Sequence, residues 1–429
     1  MDPIVSTLIL VLLALVGARI SFSSFHVSPG PSLVFRTGTH FLFLGLVLGP
    51  GLLGLFTPES VRQLFPLLGM GLGWIGFLFG LQLDHRSLGR FPPVFHILAA
   101  GQALIAFLLF LGVGWLVILI LGTAGPVSHV LVMGAAATAC ISTPAGIALI
   151  SSNYRVQGKN RDLLFFVASV DAVVGIGALQ LVYALFPPGD LGVGLPLLSR
   201  LTWVVAAVGL GAISGILFLW LTRPRPGEEE MILFLLGIAA FAGGAALQLQ
   251  LSPLFVSVTM GAVVANASPD PQRVYRVLHN WEKPIYVVFL IMAGAILEFS
   301  TPWVLFLALA YAVIRGMGKI LGSYVMLRIL PLPFETPRRF GLGLIPQGGI
   351  SLAMAISGVL TYEGLTLNGR DAAAILFAVV VLGVVFSELG GPFLTRNILQ
   401  RAGEISPRME KAVAEGATSR GSAPPSRDV

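Results

Sequence analysis

The sequence predicts an all-α polytopic membrane protein, and three observations carry that prediction. Runs of about 20 apolar residues recur along nearly the whole chain, each long enough to cross a hydrocarbon core of about 30 Å. Only 11% of the 429 residues are charged and 56% are hydrophobic, with a mean hydropathy of +0.90, which excludes a water-soluble globular domain. The alternation of apolar and polar residues that barrel strands require is absent, so helices are the spanning elements.

About 13 spans follow from the pattern, at roughly 3–22, 33–56, 65–83, 94–121, 129–151, 162–186, 198–222, 231–248, 252–267, 284–299, 302–328, 339–361 and 372–393. The first run, from Ile4, has no basic n-region before it and no clean small-x-small cleavage site, so it reads as a retained helix. Residues 394–429 are rich in Arg, Ser, Pro and Glu, the composition of a short amphipathic piece and then a largely disordered tail. Cys140 is the only cysteine, which leaves no intrachain disulfide and no zinc cluster.

The net charge of +6 does not signal nucleic acid, because the basic residues sit at membrane edges. One set of loops carries Arg19 and Arg36; Arg86 and Arg90; Arg155, Lys159 and Arg161; Arg223 and Arg225; Arg273, Arg276 and Lys283; and Arg328, Arg338 and Arg339. The alternate loops carry only Arg62, Arg200 and Arg370. The positive-inside rule places the N-terminus outside and the C-terminus in the cytoplasm of a cell, or inner, membrane.

Two spans carry breaks at membrane depth. The fifth has Ser142, Thr143 and Pro144 near its middle, then Gly146; the twelfth has Pro346, Gln347, Gly348 and Gly349. Proline removes a backbone donor and clashes with the preceding turn, and glycine loosens the helix further. Either break alone reads as a packing kink. As a pair they hold corresponding places in two halves of opposite orientation, the arrangement that marks a transport site at the midplane. A faint inverted repeat supports the halves: Phe77–Asp84 and Phe289–Glu298 both give an FL pair and then G-x-x-L-[Asp/Glu].

Of the 26 Lys and Arg and 20 Asp and Glu, three lie deep in apolar stretches: Asp171, Arg315 and Lys319. A charge at the bilayer centre costs at least about 2.5–3.5 kcal/mol, so it persists for a reason, commonly an ion or proton path. Asp171 lies about ten residues inside span six, close to the midplane at 1.5 Å per residue. Its carboxylate suits a proton or a small hard cation; the bland reading is a structural partner of Lys319 or Arg315. Arg315 and Lys319 are four apart, hence on one helical face, and either neutralises a carboxylate or the negative end of an unwound half-helix. Their bland readings are a helix anchor and a side chain snorkelling to the interface.

The glycines of GMGLGWIGFLFG, from Gly69, read as close helix packing and not as a nucleotide loop. His40, His96 and Gln102 read as locally satisfied polar groups, and Glu388 as a carboxylate near enough to the last span's end to reach water. No nucleophile arrangement or metal-ligand cluster stands out. The sequence therefore predicts neither an enzyme nor a cofactor, and no metal beyond a transported monovalent cation.

Several segments in order resemble the monovalent cation/proton antiporter superfamily, in particular its bacterial sodium/proton and potassium-efflux antiporter branch. They are GLVLGPGLLGLF (45–56), LFGLQLD (78–84), MGKILGSY (317–324) and LGLIPQGGISLAMA (342–355). The resemblance implies the sodium/proton antiporter fold: 13 helices, inverted-topology repeats and two discontinuous crossing helices within a 1–393 transporter domain. It also implies a homodimer. The dimerising part is expected at about 1–64 and 223–280, a mobile core at about 65–186 and 284–393, and a linker helix at about 198–222.

Asp171 matches the shared proton and cation carrier of these families, with Ser142 and Thr143 completing the cation shell. Lys319 matches a lysine that some members pair with a second acid. The chain also departs from the pattern. Val170 precedes the carrier where relatives have Asn, Asp or Gln, and Thr143 replaces an aspartate. Gln347 and Gly349 stand where Arg and Glu are usual. One missing carboxylate favours one-for-one, electroneutral exchange of Na+ or K+ for H+ by alternating access. Two other readings stay open: a carrier of the same fold for another solute, and a non-transporting membrane sensor.

Overall fold

Proline opens many of the helices, because a residue at the first helical position needs no N–H and already has the right φ. The computed structural model describes residues 38–188, 197–223, 226–297, 303–367 and 369–406, together with Leu12. In order, the helices are α1 (Thr39–Leu48), α2 (Pro58–Gln63), α3 (Phe65–Leu81), α4 (His85–Leu88), α5 (Pro93–Leu121), α6 (Pro126–Ala139), α7 (Pro144–Tyr154) and α8 (Lys159–Leu185). There follow α9 (Leu197–Leu221), α10 (Glu228–Gln248), α11 (Pro253–Ala267), α12 (Pro271–Asn280), α13 (Glu282–Ile296) and α14 (Trp303–Ile329). A 3-10 turn (Phe340–Leu344), α15 (Gly349–Thr361), a two-residue β-hairpin (β1 Thr366–Leu367, β2 Arg370–Asp371) and α16 (Ala372–Arg401) complete the order.

Side chains fix several helix starts. The Ser252 hydroxyl accepts from Phe255 N at the head of α11, and the Asp270 and Asp371 carboxylates do the same for α12 and α16. Gly122, at φ 63°, closes α5 in the left-handed conformation that glycine adopts without strain. Among the described residues, seven helical stretches are long and apolar enough to cross a membrane, with the broken α6–α7 pair taken as one of them; α3, α11 and α15 are shorter apolar helices. The expected span at 3–22, the Glu298 end of the faint repeat and the tail beyond 406 lie outside the described residues. Two boundaries differ from expectation. In the described part of span two, from residue 38, the helix Thr39–Leu48 ends early, and Gly49, Pro50 and their neighbours turn the chain; α16 runs on to Arg401, past the expected end at 393.

Packing sorts the helices into two bundles. One holds α5, α6, α7, α8, α14, α15 and α16; the other holds α1, α3, α10, α11, α12 and α13, with α9 lying chiefly on α11 and also touching α8. The expected division put 65–83 and 284–299 with the core part. In the structure, α3 packs most closely on α11 and α10, and α13 on α1. Small residues cause the pairing: a Cβ on Gly80 would lie 2.3 Å from Val258 O and 2.8 Å from Gly261 Cα. The glycine run of α3 is thus a surface for close helix approach.

Loops assigned to the same side of the membrane do meet. At the basic end, Asn266 Oδ1 accepts from His85 N at 3.0 Å, and Arg273 donates to Pro226 O at 2.5 Å. There too the Glu404 carboxylate caps α8, accepting from Asn160 N (2.7 Å) and Arg161 N (3.0 Å). At the other end, Arg62 pairs with Glu363 at 3.2 Å.

A candidate ion site at the helix crossing

Pro144 cannot continue the helix begun at Pro126, and α6 stops at Ala139. Cys140, Ile141 and Ser142 carry the chain across to Thr143, which caps α7 by accepting from Ala145 N on its side-chain oxygen. The second break is built alike: the 3-10 turn ends at Leu344, and α15 begins at Gly349. The two unwound segments cross and are joined by Thr143 N–H donating to Pro346 O at 3.0 Å. A Cβ on Gly348 would lie 2.6 Å from Thr143 Oγ1, and one on Gly146 would lie 2.9 Å from the Pro346 ring. Glycine at 348 is what lets the two backbones approach so closely.

The crossing leaves helix-end carbonyls facing inward, where two cations meet them. Arg315 donates from Nη1 to Ile345 O (2.7 Å) and from Nη2 to Ile141 O (2.6 Å), so one guanidinium ties both breaks together. Lys319, one turn along the same face of α14, donates to Cys140 O and to Asp171 Oδ2, the latter at 2.7 Å. Asp171, Arg315 and Lys319 are all buried, which rules out snorkelling for Lys319.

Asp171 is held from three sides. Oδ1 accepts from Ser142 N at 3.1 Å, and Oδ2 accepts from Lys319 and from Gln102 Nε2 at 3.3 Å. Gln347 donates to Thr138 O (2.9 Å) and to the Tyr311 hydroxyl (2.8 Å), which in turn donates to Thr138 Oγ1. Every candidate site residue named from the sequence therefore falls at or beside one crossing; Gly349 sits there too, facing the Tyr286 hydroxyl.

A cavity of about 670 Å³ lies between the two bundles and ends at this crossing. Ser142, Thr143, Gly348 and Gly349 form its floor, and His279 and Lys283, both exposed at the basic end, stand at its rim. Asp171 is not on its wall; Ser142, whose amide binds the carboxylate, separates the two.

Two residues of the site were misjudged from the sequence. Gln102 is not locally satisfied but reaches Asp171 from α5. Glu388 does not reach out to water: it is 7% exposed, lines the cavity from α16, and neither carboxylate oxygen has a hydrogen-bond partner among the described residues. For Glu388 the helical stripe Val381, Val384, Val385, Glu388 was the available signal.

Two broken helices crossing beside a buried carboxylate define a secondary carrier of the discontinuous-helix class. The family profile described as sodium/hydrogen exchanger, transmembrane, matches residues 11–397, and the chain belongs to that family of multi-pass membrane proteins. Its fold is that of solved sodium proton antiporters. It is similar to the structure of MjNhaP1 from Methanocaldococcus jannaschii at pH 8, with TM-score 0.66 and 16% identity over 93% of this chain and 100% of that one. It is also similar to an electron-microscopy map of MjNhaP1, with TM-score 0.63 and 18% identity over 95% and 100%. No curated protein sequence matches the chain significantly.

Proposed function

We propose that the protein exchanges a monovalent cation, Na+ or K+, for H+ across the cell membrane by alternating access, with Asp171 as the cation's carboxylate. The observation that carries this reading is the buried Asp171–Lys319 pair, joined through Ser142 N–H to the crossing and one residue behind the cavity. Family membership and the fold of a sodium proton antiporter support it.

The pair suggests how exchange is enforced. At rest the carboxylate and ammonium cancel. A cation arriving at Asp171 competes with Lys319 for the same oxygen, and a displaced ammonium would be an uncompensated buried charge, which costs several kcal/mol. Lys319 avoids that cost by giving up its proton. The site is then neutral in both loaded states: carboxylate with ammonium, or carboxylate with cation and neutral amine. One cation in for one proton out follows, with no net charge moved. Sequence alone gave the proton to Asp171; the pairing with Lys319 shifts it to the amine.

The bundle of α1, α3 and α10–α13 would be the static, dimerising part, and the bundle carrying the crossing would be the moving part. The basic end would face the cytoplasm, as the loop charges favour.

The test is purified protein in proteoliposomes, with internal pH followed by dye on addition of Na+, K+ or Li+. Exchange with at least one cation, at a rate independent of an imposed membrane potential, is expected. Silence with all three would reject cation exchange and favour a carrier of another solute.

A further inference from the structure

Glu388 is a buried carboxylate that the proposed exchange does not use. It is more than nine-tenths buried, and both its oxygens lack a partner among the described residues, an arrangement that costs free energy unless the group holds a proton or a cation. It does not face the lipid. Val381, Val384, Val385 and Glu388 recur at the helical spacing that puts them on one face of α16, and all four line the cavity. One turn beyond, Gly391 packs directly on Pro346, so this face of α16 lies against the second break.

Oxygen atoms surround the same space. The Ser142 hydroxyl is buried and lacks a partner, and Thr143 and Tyr286 also line the cavity. At the rim Glu282 is already paired with His279 at 2.6 Å, which leaves Glu388 as the unpaired carboxylate among the residues lining the cavity. The heads of α7 and α15 lie on the cavity floor, where their positive ends favour a negative charge nearby. Thr143 supplies none; Glu388 does.

We propose that Glu388 is a second monovalent-cation site, distinct from Asp171, which receives the cation from the basic end of the cavity before it passes Ser142. A carboxylate with hydroxyl and water oxygens is the donor set that an alkali cation prefers over nitrogen or sulfur ligands. This rests on the reading of Asp171 as carrier, but the two can be tested apart.

The experiment compares wild type with Glu388→Gln, Glu388→Asp, Asp171→Asn and the double variant Asp171→Asn/Glu388→Gln. In proteoliposomes, Glu388→Gln should raise the Na+ or K+ concentration for half-maximal exchange about tenfold, more than it lowers the saturating rate. Glu388→Asp should restore most of the affinity. In detergent, NaCl or KCl, against choline chloride, should raise the Tm of Asp171→Asn, and the double variant should lose that rise. Unchanged half-saturation in Glu388→Gln while Asp171→Asn is silent would overturn the Glu388 site and leave the carrier reading intact. Normal exchange by Asp171→Asn would overturn the carrier reading, and the Tm comparison would still decide on Glu388. An Asp171→Asn protein with no cation-dependent Tm rise would also overturn the Glu388 site.

Discussion

Asp171 Oδ2 and Lys319 Nζ lie 2.7 Å apart with both side chains buried, and each is also bonded to the unwound backbone between α6 and α7. The carboxylate takes an N–H from Ser142, and the ammonium donates to the Cys140 carbonyl. The pair therefore fixes the break in place as well as balancing charge. Any event that separates the two side chains also loosens the crossing.

Lys319→Met is expected to destabilise the protein by about 3–5 kcal/mol, because Asp171 would stay buried with only Ser142 and Gln102 as donors. Adding Asp171→Asn should return part of that loss, since no charge is then left uncompensated. Thermal unfolding of the single and double variants in detergent measures the coupling. Strictly additive losses would mean that the pair is not formed.

Glu404 caps the helix that carries Asp171, with its two carboxylate oxygens on the amides of Asn160 and Arg161. Removing the cap in Glu404→Ala should cost about 1 kcal/mol, the usual range for an N-terminal cap. Tm in detergent reads this loss. Truncation before residue 404 should match it; an unchanged Tm in both would show that the tail does not hold α8.

Asp84 gives a pH-dependent contribution outside the spans. The Ser87 hydroxyl, first among its causes, and the Arg86 and Ser87 amides hold the carboxylate below its ordinary value of 3.8. A depressed folded-state value means that the cap stabilises above pH 3.8 and that this stability is lost as pH falls through the lower folded value. Asp84→Ala should therefore lower Tm at neutral pH, and the gap from wild type should close below about pH 4. A gap that persists at acid pH would assign Asp84 a role other than that of a charged cap.

Much of the fold and site was legible because membrane burial constrains residues one at a time. Hydropathic length marked the long helices, and Pro144 and Pro346, each beside glycine and polar residues, marked the breaks, whereas Pro392 stands inside the continuous α16. Asp171 and Lys319 stood out by their cost in lipid alone. What stayed hidden depends on partners far along the chain. Gln102 binds Asp171 across 69 residues, and nothing near position 102 points to it. The Asp171–Lys319 pair, 148 residues apart, stood in the sequence only as a bland alternative, with Arg315 an equal candidate for the partner. Glu388 was read by its distance from the end of its helix, whereas its place on the wall of a cavity, whose other side is the bundle that holds α1, α3, α12 and α13, follows from the fold. The membership of α3 and α13 in that bundle is hidden for a like reason: apolar helices with small residues pack on many surfaces, and only the fold selects one.

Asp171→Asn, reconstituted at the same amount as wild type and assayed for cation-driven pH change, tests the central claim most directly. The account predicts no pH change with Na+, K+ or Li+ from a protein that remains folded in detergent. Exchange at the wild-type rate would contradict it.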